Sequence, residues 1–371
     1  MWGVNLSSAE PFIYSIFGIQ YLGSNPTDHQ ASLIQTFDTL LSGEGTAATT
    51  PTITDKFIQE GAASVGHGKT QVWLSYWPSS SKYQAWWTSE QVKQFWTSLP
   101  ADAGMWREIL TVSDRRTQYG SNVLTPSGLR HLGEPISVAD KSGYWGCYRH
   151  RMAAHTEDKM ESSLAENLEP MRPVRSTLIV SPASQPTGAH EEPNAVCVPG
   201  RIIMTKFPEN ICFVVEGQDH SLITPEEKDC WFENFDALFT QWVVDLVDAS
   251  SFSSSSGQRS GILDTRIGYV SESGKYRDSV PEAMNYNRKI QLFYFNDLQC
   301  MVRIGSQNKG HVALRKSFMQ AYGPGGNMEV AGKICLWVET SVLKGDEIEC
   351  EYVGCFEGTG FMAFRSYAEF K

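Results

Sequence analysis

A single histidine in the last third of the chain is the residue best placed to do chemistry in an apolar setting. His311 lies in the stretch NKGHVALRKSFM, where His311, Leu314 and Phe318 are spaced i, i+3 and i+7. On a helix this spacing puts all three side chains on one face, so the pattern predicts an imidazole that faces apolar material. Two interpretations follow: a buried neutral histidine with one hydrogen bond, or a ligand to a bound group.

The surrounding sequence limits the kind of group that this histidine could hold. Zinc sites require three or four N, S or O ligands, and the sequence has neither an HExxH motif nor a zinc-type cysteine pair. Haem brings four nitrogens of its own and needs as little as one axial ligand from the protein. If His311 is a ligand, haem is therefore the group that suits it.

Composition argues against several classes of function. The 371 residues are 41% hydrophobic and 20% charged, which is enough apolar material for a large core. A net charge of -11 argues against nucleic-acid binding, which needs a basic face. We recognise no membrane-spanning run and no signal peptide. Eight widely spaced cysteines without a CxxC motif predict free thiols, so we expect a cytoplasmic protein.

Strand and helix patterns alternate on both sides of a serine-rich run at residues 250–257. FIYSIFGIQYLG, TQVWLSYW, KIQLFYF and KICLWVETSVL predict strands, whereas ITDKFIQEGAA, SKYQAWWTSEQVKQFWTSL, NDLQCMVRIG and VALRKSFMQAY predict helices. Asn296 is the predicted N-cap of the third helix. The pattern indicates an α+β fold with two ferredoxin-like halves, residues 1–249, with an inserted loop at 181–199, and residues 258–371.

One glycine-rich stretch resembles a phosphate-binding loop without meeting its structural requirements. ASVGHGKT, Ala63 to Thr70, fits the loose pattern with alanine in place of the first glycine. Phosphate loops need a strand before them and a helix after them. Here the patterns predict a helix before and a strand after, so we interpret the stretch as a turn into a strand.

The chain as a whole resembles the haem-containing aldoxime dehydratases, the phenylacetaldoxime dehydratase group, and especially their fungal branch. The resemblance covers most of the chain in the family's order, through GIQYLG, VWLSYW, REILTVSDRRTQY, GYWGCYRHR, EGQDHSLITPEEKDCW, NKGHVALR, LWVETSV and EYVGCFEGTGF. It implies a dimeric α/β barrel made of two ferredoxin-like halves. It also implies a lyase that converts an aldoxime, R–CH=N–OH, to a nitrile and water on ferrous haem b.

The resemblance also implies roles for individual residues. In the family the oxime nitrogen binds the iron, a distal histidine handles the proton on the departing hydroxyl, and an arginine and a serine assist. The axial ligand falls on His311 and the distal arginine on Arg151, with Arg149 as its close neighbour. The serine position is Glu216 in this chain, and the distal histidine position is Val338. Without the resemblance, the two arginines would be interpreted as surface ion-pair residues.

Val338 leaves several interpretations of the reaction open, because a positioned acid–base group is worth about 10²–10⁴-fold in rate. Glu216 could supply the proton, since a carboxyl group buried beside haem is pushed towards its neutral form. The same iron–nitrogen chemistry could act on another N–O compound, leading to rearrangement or to N–N or C–N bond formation. The protein could also be a non-catalytic haem-binding sensor. In a protein without haem, His311 would be a core residue.

Overall fold

A computed structural model gives the fold of the chain. It describes residues 1–6, 10–43, 49–62, 65–143, 147–164, 168, 170, 196–250, 261–279 and 281–371. The predicted inserted loop lies outside these residues from 181 to 195, and so does the serine run from 251 to 257. None of the eight cysteines forms a disulfide, which confirms the prediction of free thiols. Within the described segments, no helix has the length and apolar character needed to span a membrane.

Thirteen strands in the described part of the chain form one sheet, and the neighbouring strands all pair antiparallel. The strands are β1 Trp2–Asn5, β2 Phe12–Tyr21, β3 Ile53–Ala62, β4 Val65–Trp77, β5 Met105–Val112, β6 Thr117–Ser121, β7 Glu134–Ser137, β8 Arg201–Met204, β9 Ile211–Asp219, β10 Ile262–Tyr269, β11 Arg288–Phe295, β12 Cys335–Leu343 and β13 Ile348–Val353. The helices are α1 Asp28–Ser42, α2 Ser80–Trp87, α3 Glu90–Thr97, α4 Cys147–Arg151, α5 Pro225–Asn234, α6 Asp236–Ser250, α7 Leu298–Gln307 and α8 Lys309–Tyr322. The predicted mixture of helices with strands is confirmed.

Two sets of four strands have the same arrangement within this sheet. The first set lies in the order β3-β4-β2-β5 and the second in the order β10-β11-β9-β12. Along the chain, each set runs strand, helix, strand, strand, helix, strand. The second set begins at Ile211, upstream of the serine run that the sequence suggests as the division between halves. The strand after each set extends the edge of the other, since β6 pairs with β12 and β13 pairs with β5.

The sheet curls so that one of its faces encloses a core shared by both sets. Tyr14 and Tyr76 of the first set donate hydrogen bonds of 2.9 and 3.1 Å to the Glu339 carboxylate of β12. The Tyr14 ring also packs edge-on against Phe213 of β9, with centroids 5.3 Å apart. These contacts join the two sets across the interior, so the other face of each set points outward and is covered by helices.

The two outer faces are covered to different extents. On the first set, α1, α2 and α3 bury an aromatic cluster that includes Phe17, Phe37, Trp73, Trp77 and Trp86. On the second set, α6 and α7 pack on β9, β10, β11 and β12, and α8 packs on α6 and α7 without a fully buried residue. The second face is therefore the one where the helices stand off from the sheet.

Two local predictions were wrong. ITDKFIQEGAA was predicted to be a helix, but Ile53 to Ala62 is strand β3, which pairs with β4 along its length. Its apolar residues at 53, 57 and 58 also fit helical spacing, so the local pattern was ambiguous and pairing with a distant strand decided it. The N-cap of α7 is Asp297 instead of Asn296, because the Asp297 side chain accepts the Cys300 N–H at 2.8 Å.

The glycine-rich stretch ends in a strand, as predicted. Residues 63 and 64 lie outside the described part, and β4 begins at Val65. The segment therefore joins two antiparallel strands, β3 and β4, with no helix after it. An arrangement of this kind lacks the helix N-terminus that a phosphate loop needs.

Candidate functional site

His311 lies in the first turn of α8, where two hydrogen bonds fix its position. The N-cap residue Asn308 accepts the backbone N–H of His311 through its side-chain oxygen at 2.7 Å. His311 Nδ1 lies 2.9 Å from the carbonyl oxygen of Gly305. A carbonyl oxygen can only accept, so Nδ1 carries the proton and Nε2 carries the lone pair. An imidazole that ligates a metal through Nε2 needs this tautomer.

The neighbours of His311 keep its ring neutral and hold its plane. Trp242 of α6 stacks on the imidazole, with ring centroids 4.0 Å apart and an angle of 18° between the planes. The pKa of His311 is lowered to about 4, mainly by burial and also by the positive charge of Arg315, while the hydrogen bond to Gly305 opposes both. At pH 7 the side chain is therefore a neutral imidazole, which is the form that binds metals.

His311 faces a pocket that lies between the sheet and the helices. The pocket contains about 410 Å³ of space, its open mouth included. Strands β9 and β11 form one wall, and α6, α7 and the start of α8 form the other. Most of the lining is apolar, and its residues are Tyr148, Val214, Glu216, Trp242, Leu246, Phe293, Phe295, Met301, Val302, Ile304, Gly305 and His311. Cofactor and small-molecule sites have this character: apolar walls with a few placed polar groups.

Glu216 is the carboxyl group of this pocket, on the wall opposite the helices. It lies in the middle of β9, paired with Gln291 of β11 on one side and with Val338 of β12 on the other. Burial raises the pKa of Glu216 to about 7, although a hydrogen bond from the Trp242 indole and the charge of Arg315 both lower it. Near neutral pH this carboxyl group can therefore give up a proton or take one.

Arg151 and Val338 lie next to each other beside this wall. A Cβ atom on Gly120 would stand 2.9 Å from Arg151 Nη1 and 3.7 Å from Val338 Cγ1, so the glycine leaves room for both. Arg151 donates to the Gln118 side-chain oxygen at 3.0 Å and to the Lys141 carbonyl at 3.2 Å. Its guanidinium lies 5.6 Å from the ring centroid of Tyr148, which lines the pocket. Arg151 therefore lies next to the pocket, against the Tyr148 ring that forms part of its wall.

Arg149 points to a different part of the molecule, although it is on the same short helix. Its guanidinium donates to the Asp158 carbonyl at 3.3 Å, and the residue does not line the pocket. Of the two arginines, Arg151 is the one that contacts a pocket residue, because it lies against Tyr148, which lines the pocket together with Glu216 and His311.

Three residues of the site were not found from sequence. Trp242 contacts both His311 and Glu216, and Tyr148 lines the pocket. Arg315 acts electrostatically on His311, Glu216 and Tyr148. Arg315 follows His311 by one helical turn, so its spacing was a usable signal. Trp242 and Tyr148 come from separate helices, and only the tertiary fold brings them to His311.

The residues of this pocket fit haem better than a bare metal ion. Across the described residues, no group of three or more His, Cys, Asp or Glu side chains is arranged to hold a metal. One neutral imidazole with a fixed tautomer, at the edge of an apolar slot between a sheet and helices, is enough for a flat group that brings its own four nitrogens.

Comparison with known proteins gives a consistent result. The model of the haem-containing dehydratase family matches residues 15–361. A phenylacetaldoxime dehydratase from Bacillus sp. (strain OxB-1) is 21% identical over 364 residues, which is 96% of this chain and 89% of the relative.

Two crystal structures of aldoxime dehydratases have a similar fold. One, a complex with butyraldoxime, has a TM-score of 0.72 and 16% identity over 97% of this chain and 88% of that one. The other has a TM-score of 0.71 and 17% identity over 97% and 90% of the two chains. At such low identity, these structures show the shared fold alone.

Proposed function

This chain belongs to the haem-containing dehydratase family, a family of lyases, and we propose that it dehydrates an aldoxime to a nitrile in the pocket between β9 and α8. The observation that carries the proposal is the pairing of two groups in one apolar slot. The helix wall presents a neutral imidazole, His311, and the sheet wall presents a carboxyl group, Glu216, whose pKa is about 7.

His311 would hold the haem iron through Nε2. The hydrogen bond from Nδ1 to Gly305 and the stacked Trp242 ring orient the imidazole. Bound ferrous haem b would supply an iron site for the oxime nitrogen and electron density that weakens the N–O bond. The apolar walls exclude water, which strengthens every polar interaction within the slot.

Glu216 would move the protons of the reaction. The protonated carboxyl group gives its proton to the hydroxyl oxygen of R–CH=N–OH, and the N–O bond breaks to release water. The resulting carboxylate accepts the proton of the C–H bond, which leaves R–C≡N and restores the acid. Arg151 would stand close to the departing oxygen as a fixed cation. Val338, the β12 residue paired with Glu216, would contribute an apolar side chain and no proton.

We also propose the larger organisation that the strand orders support. The two four-strand sets, 12–112 and 211–343, would be ferredoxin-like halves of one haem-binding unit, since each has the order expected for that fold. The unit would act as a homodimer in the cytoplasm. Sedimentation analysis of the purified protein would test the dimer.

A second candidate follows from Val338. Because the distal histidine of the family is replaced, the same site could cleave the N–O bond of a different compound, with rearrangement or N–N or C–N bond formation. A haem-binding sensor would bind the oxime without converting it. Incubation of the ferrous protein with phenylacetaldoxime, followed by chromatography of the products, separates these cases. Phenylacetonitrile supports the dehydratase. Another product supports altered N–O chemistry, and unchanged oxime supports the sensor.

A further inference from the structure

The pocket between β9 and α8 has few polar side chains, and most of them are already engaged. Among the described residues that line it, four side chains carry a nitrogen or an oxygen atom: Tyr148, Glu216, Trp242 and His311. His311 Nδ1 is hydrogen-bonded to Gly305, and the Trp242 indole donates a hydrogen bond to Glu216. The remaining polar group of the lining is the hydroxyl of Tyr148.

Tyr148 comes from the short helix α4, whose position brings the phenol to the sheet side of the pocket. Helix α4 packs on β6, and β6 is the neighbour of β12 in the sheet. Tyr148 is half-buried, and both Tyr148 and Val338 pack against the apolar cluster of the second strand set. Tyr148 also interacts electrostatically with Glu216. The phenol therefore stands beside the wall that carries Glu216.

The Tyr148 hydroxyl has no hydrogen-bond partner among the residues that the structure describes. Burial raises the pKa of Tyr148 above its usual value, so the phenol keeps its proton in the neutral range. A tyrosine hydroxyl in an apolar setting normally finds a hydrogen-bond partner. Here that partner would come from the contents of the pocket, to which the hydroxyl offers a donor.

Arg151 lies behind Tyr148 and does not line the pocket itself. Its guanidinium is 5.6 Å from the centroid of the Tyr148 ring. Arg151 Nη1 donates to the Gln118 side chain at 3.0 Å, and Nε donates to the Lys141 carbonyl at 3.2 Å. The charge of Arg151 opposes part of the rise in the pKa of Tyr148, which makes the phenol a stronger hydrogen-bond donor. The effect of Arg151 on the pocket thus passes through Tyr148.

We propose that Tyr148 is a further catalytic residue, which donates a hydrogen bond to the oxygen atom of the bound oxime. This inference rests on the proposed function. Glu216 delivers the proton that the departing oxygen takes up, whereas the Tyr148 hydroxyl keeps its own proton and holds that oxygen in place. Val338 has no hydrogen-bond donor, so a donor from α4 would compensate for part of what the strand position lacks.

The most direct test is the infrared spectrum of the carbon monoxide complex of the haem-loaded ferrous protein. In bound carbon monoxide, as in an oxime bound through nitrogen, the oxygen is the second atom from the iron. Carbon monoxide therefore places an acceptor near the position expected for the oxime oxygen, and a hydrogen bond to it lowers the C–O stretching frequency. Tyr148→Phe keeps the ring and removes the donor, so we expect the frequency to rise.

Two comparisons restrict the explanation of that shift. Tyr286→Phe removes a hydroxyl that donates to Glu282 at 3.1 Å away from the pocket, and it should leave the frequency unchanged. Tyr148→Phe should raise the frequency in a Glu216→Gln background as well, because the phenol acts on the oxygen directly. An unchanged frequency in Tyr148→Phe would overturn the inference. A shift that disappears in the Glu216→Gln background would also overturn it, since Tyr148 would then act only through the acid.

The rate of nitrile formation gives the size of the contribution. The Tyr148 hydroxyl has no protein partner, so its removal leaves no buried group unpaired and haem content should stay normal. We expect Tyr148→Phe to form phenylacetonitrile about 10- to 100-fold more slowly at saturating oxime, the usual effect of one hydrogen bond to a developing charge. Tyr286→Phe should keep the wild-type rate.

The outcomes for wild-type protein separate this inference from the proposed function. A wild-type rate in Tyr148→Phe, with wild-type protein active, would overturn the catalytic role of Tyr148 and leave the proposed function standing. Wild-type protein that binds haem and forms no nitrile would overturn the proposed function, and the carbon monoxide spectra would still decide whether Tyr148 donates into the pocket. Wild-type protein that binds no haem would overturn both.

Discussion

The outer faces of the two strand sets are built on the same plan and filled in different ways. On the first set, helices α1 to α3 press aromatic rings onto the sheet. The fully buried ring of Trp86 packs against four other aromatic rings, whose centroids lie within 6.2 Å of its own: those of Phe17, Phe37, Trp77 and Tyr83. On the second set, the helices leave a slot between themselves and the sheet, and α8 buries no residue completely.

The difference shows how one arrangement can serve stability in one place and chemistry in another. A well-packed aromatic face contributes apolar burial and leaves no room for a ligand. The slot on the second set gives up part of that burial. The slot instead holds a carboxyl group whose pKa is raised and an imidazole whose pKa is lowered. Both shifts favour the neutral form of the side chain. Shifted titratable groups beside a pocket are typical of functional sites.

The largest effect is expected for His311→Ala. Among the described residues, His311 is the one histidine that lines the slot, so we expect purified protein without stably bound haem and without activity. His29→Ala, at an exposed position on α1, is the matched control and should retain both. Haem content by pyridine haemochrome assay checks the prediction. Full haem content in His311→Ala would show that the slot does not depend on this ligand.

Glu216→Gln should slow turnover by about 10²–10⁴-fold while haem content stays normal, since the amide cannot deliver a proton. Glu339→Gln is the informative comparison. Burial raises the pKa of Glu339 to about 8, but that carboxyl group lies inside the curled sheet with Tyr14 and Tyr76. We expect this second variant to lose stability and keep its rate per bound haem. Equal rates in Glu216→Gln and wild type would remove Glu216 from the reaction.

Trp86→Ala should lower the free energy of unfolding without affecting the haem pocket, because Trp86 is buried on the outer face of the first strand set. Truncation of a buried tryptophan typically costs about 3–5 kcal/mol of folding free energy. Urea unfolding should show that loss, while the haem absorbance of the folded variant stays at the wild-type position. A shifted haem spectrum would mean that the two faces are coupled and that our separation of their roles is wrong.

The smallest predicted effect is a pH dependence. The proton donor must be protonated at the start of the reaction, and the pKa of Glu216 is about 7. The rate should therefore be highest below about pH 7 and fall by about tenfold per pH unit well above it. Single-turnover rates between pH 6 and pH 9 provide the measurement. In Glu216→Gln this decline should be absent, and a decline of the same size there would point to another group.

Sequence patterns were reliable where a segment's own residues decide its structure. The buried strands β2, β4, β11 and β12 and the helix α8 with His311 on its protein-facing side were all predictable. Strand β3 was not, because the spacing of Ile53 and Phe57 fits a strand as well as a helix and the choice depends on pairing with β4. Local signals cannot decide such a case.

The site shows the same limit more sharply. His311 could be singled out from its spacing. The ligand role proposed for it, and the catalytic roles proposed for Glu216 and Arg151, come from the family resemblance. Trp242, which stacks on His311 and hydrogen-bonds Glu216, had no sequence signal because α6 is distant in the chain. The pairing of Gln218 with Lys289 could likewise not be predicted, because it depends on the register between β9 and β11.

The central claim is that the slot binds haem through His311 and leaves the iron open to an oxime nitrogen. An anaerobic absorption spectrum tests it most directly, recorded on the oxidised protein, after dithionite, and after addition of phenylacetaldoxime. We predict a Soret band that moves on reduction and moves again with the oxime, followed by phenylacetonitrile in the same cuvette. A protein that shows no Soret band after haem is supplied would contradict the account and make His311 a residue of the core.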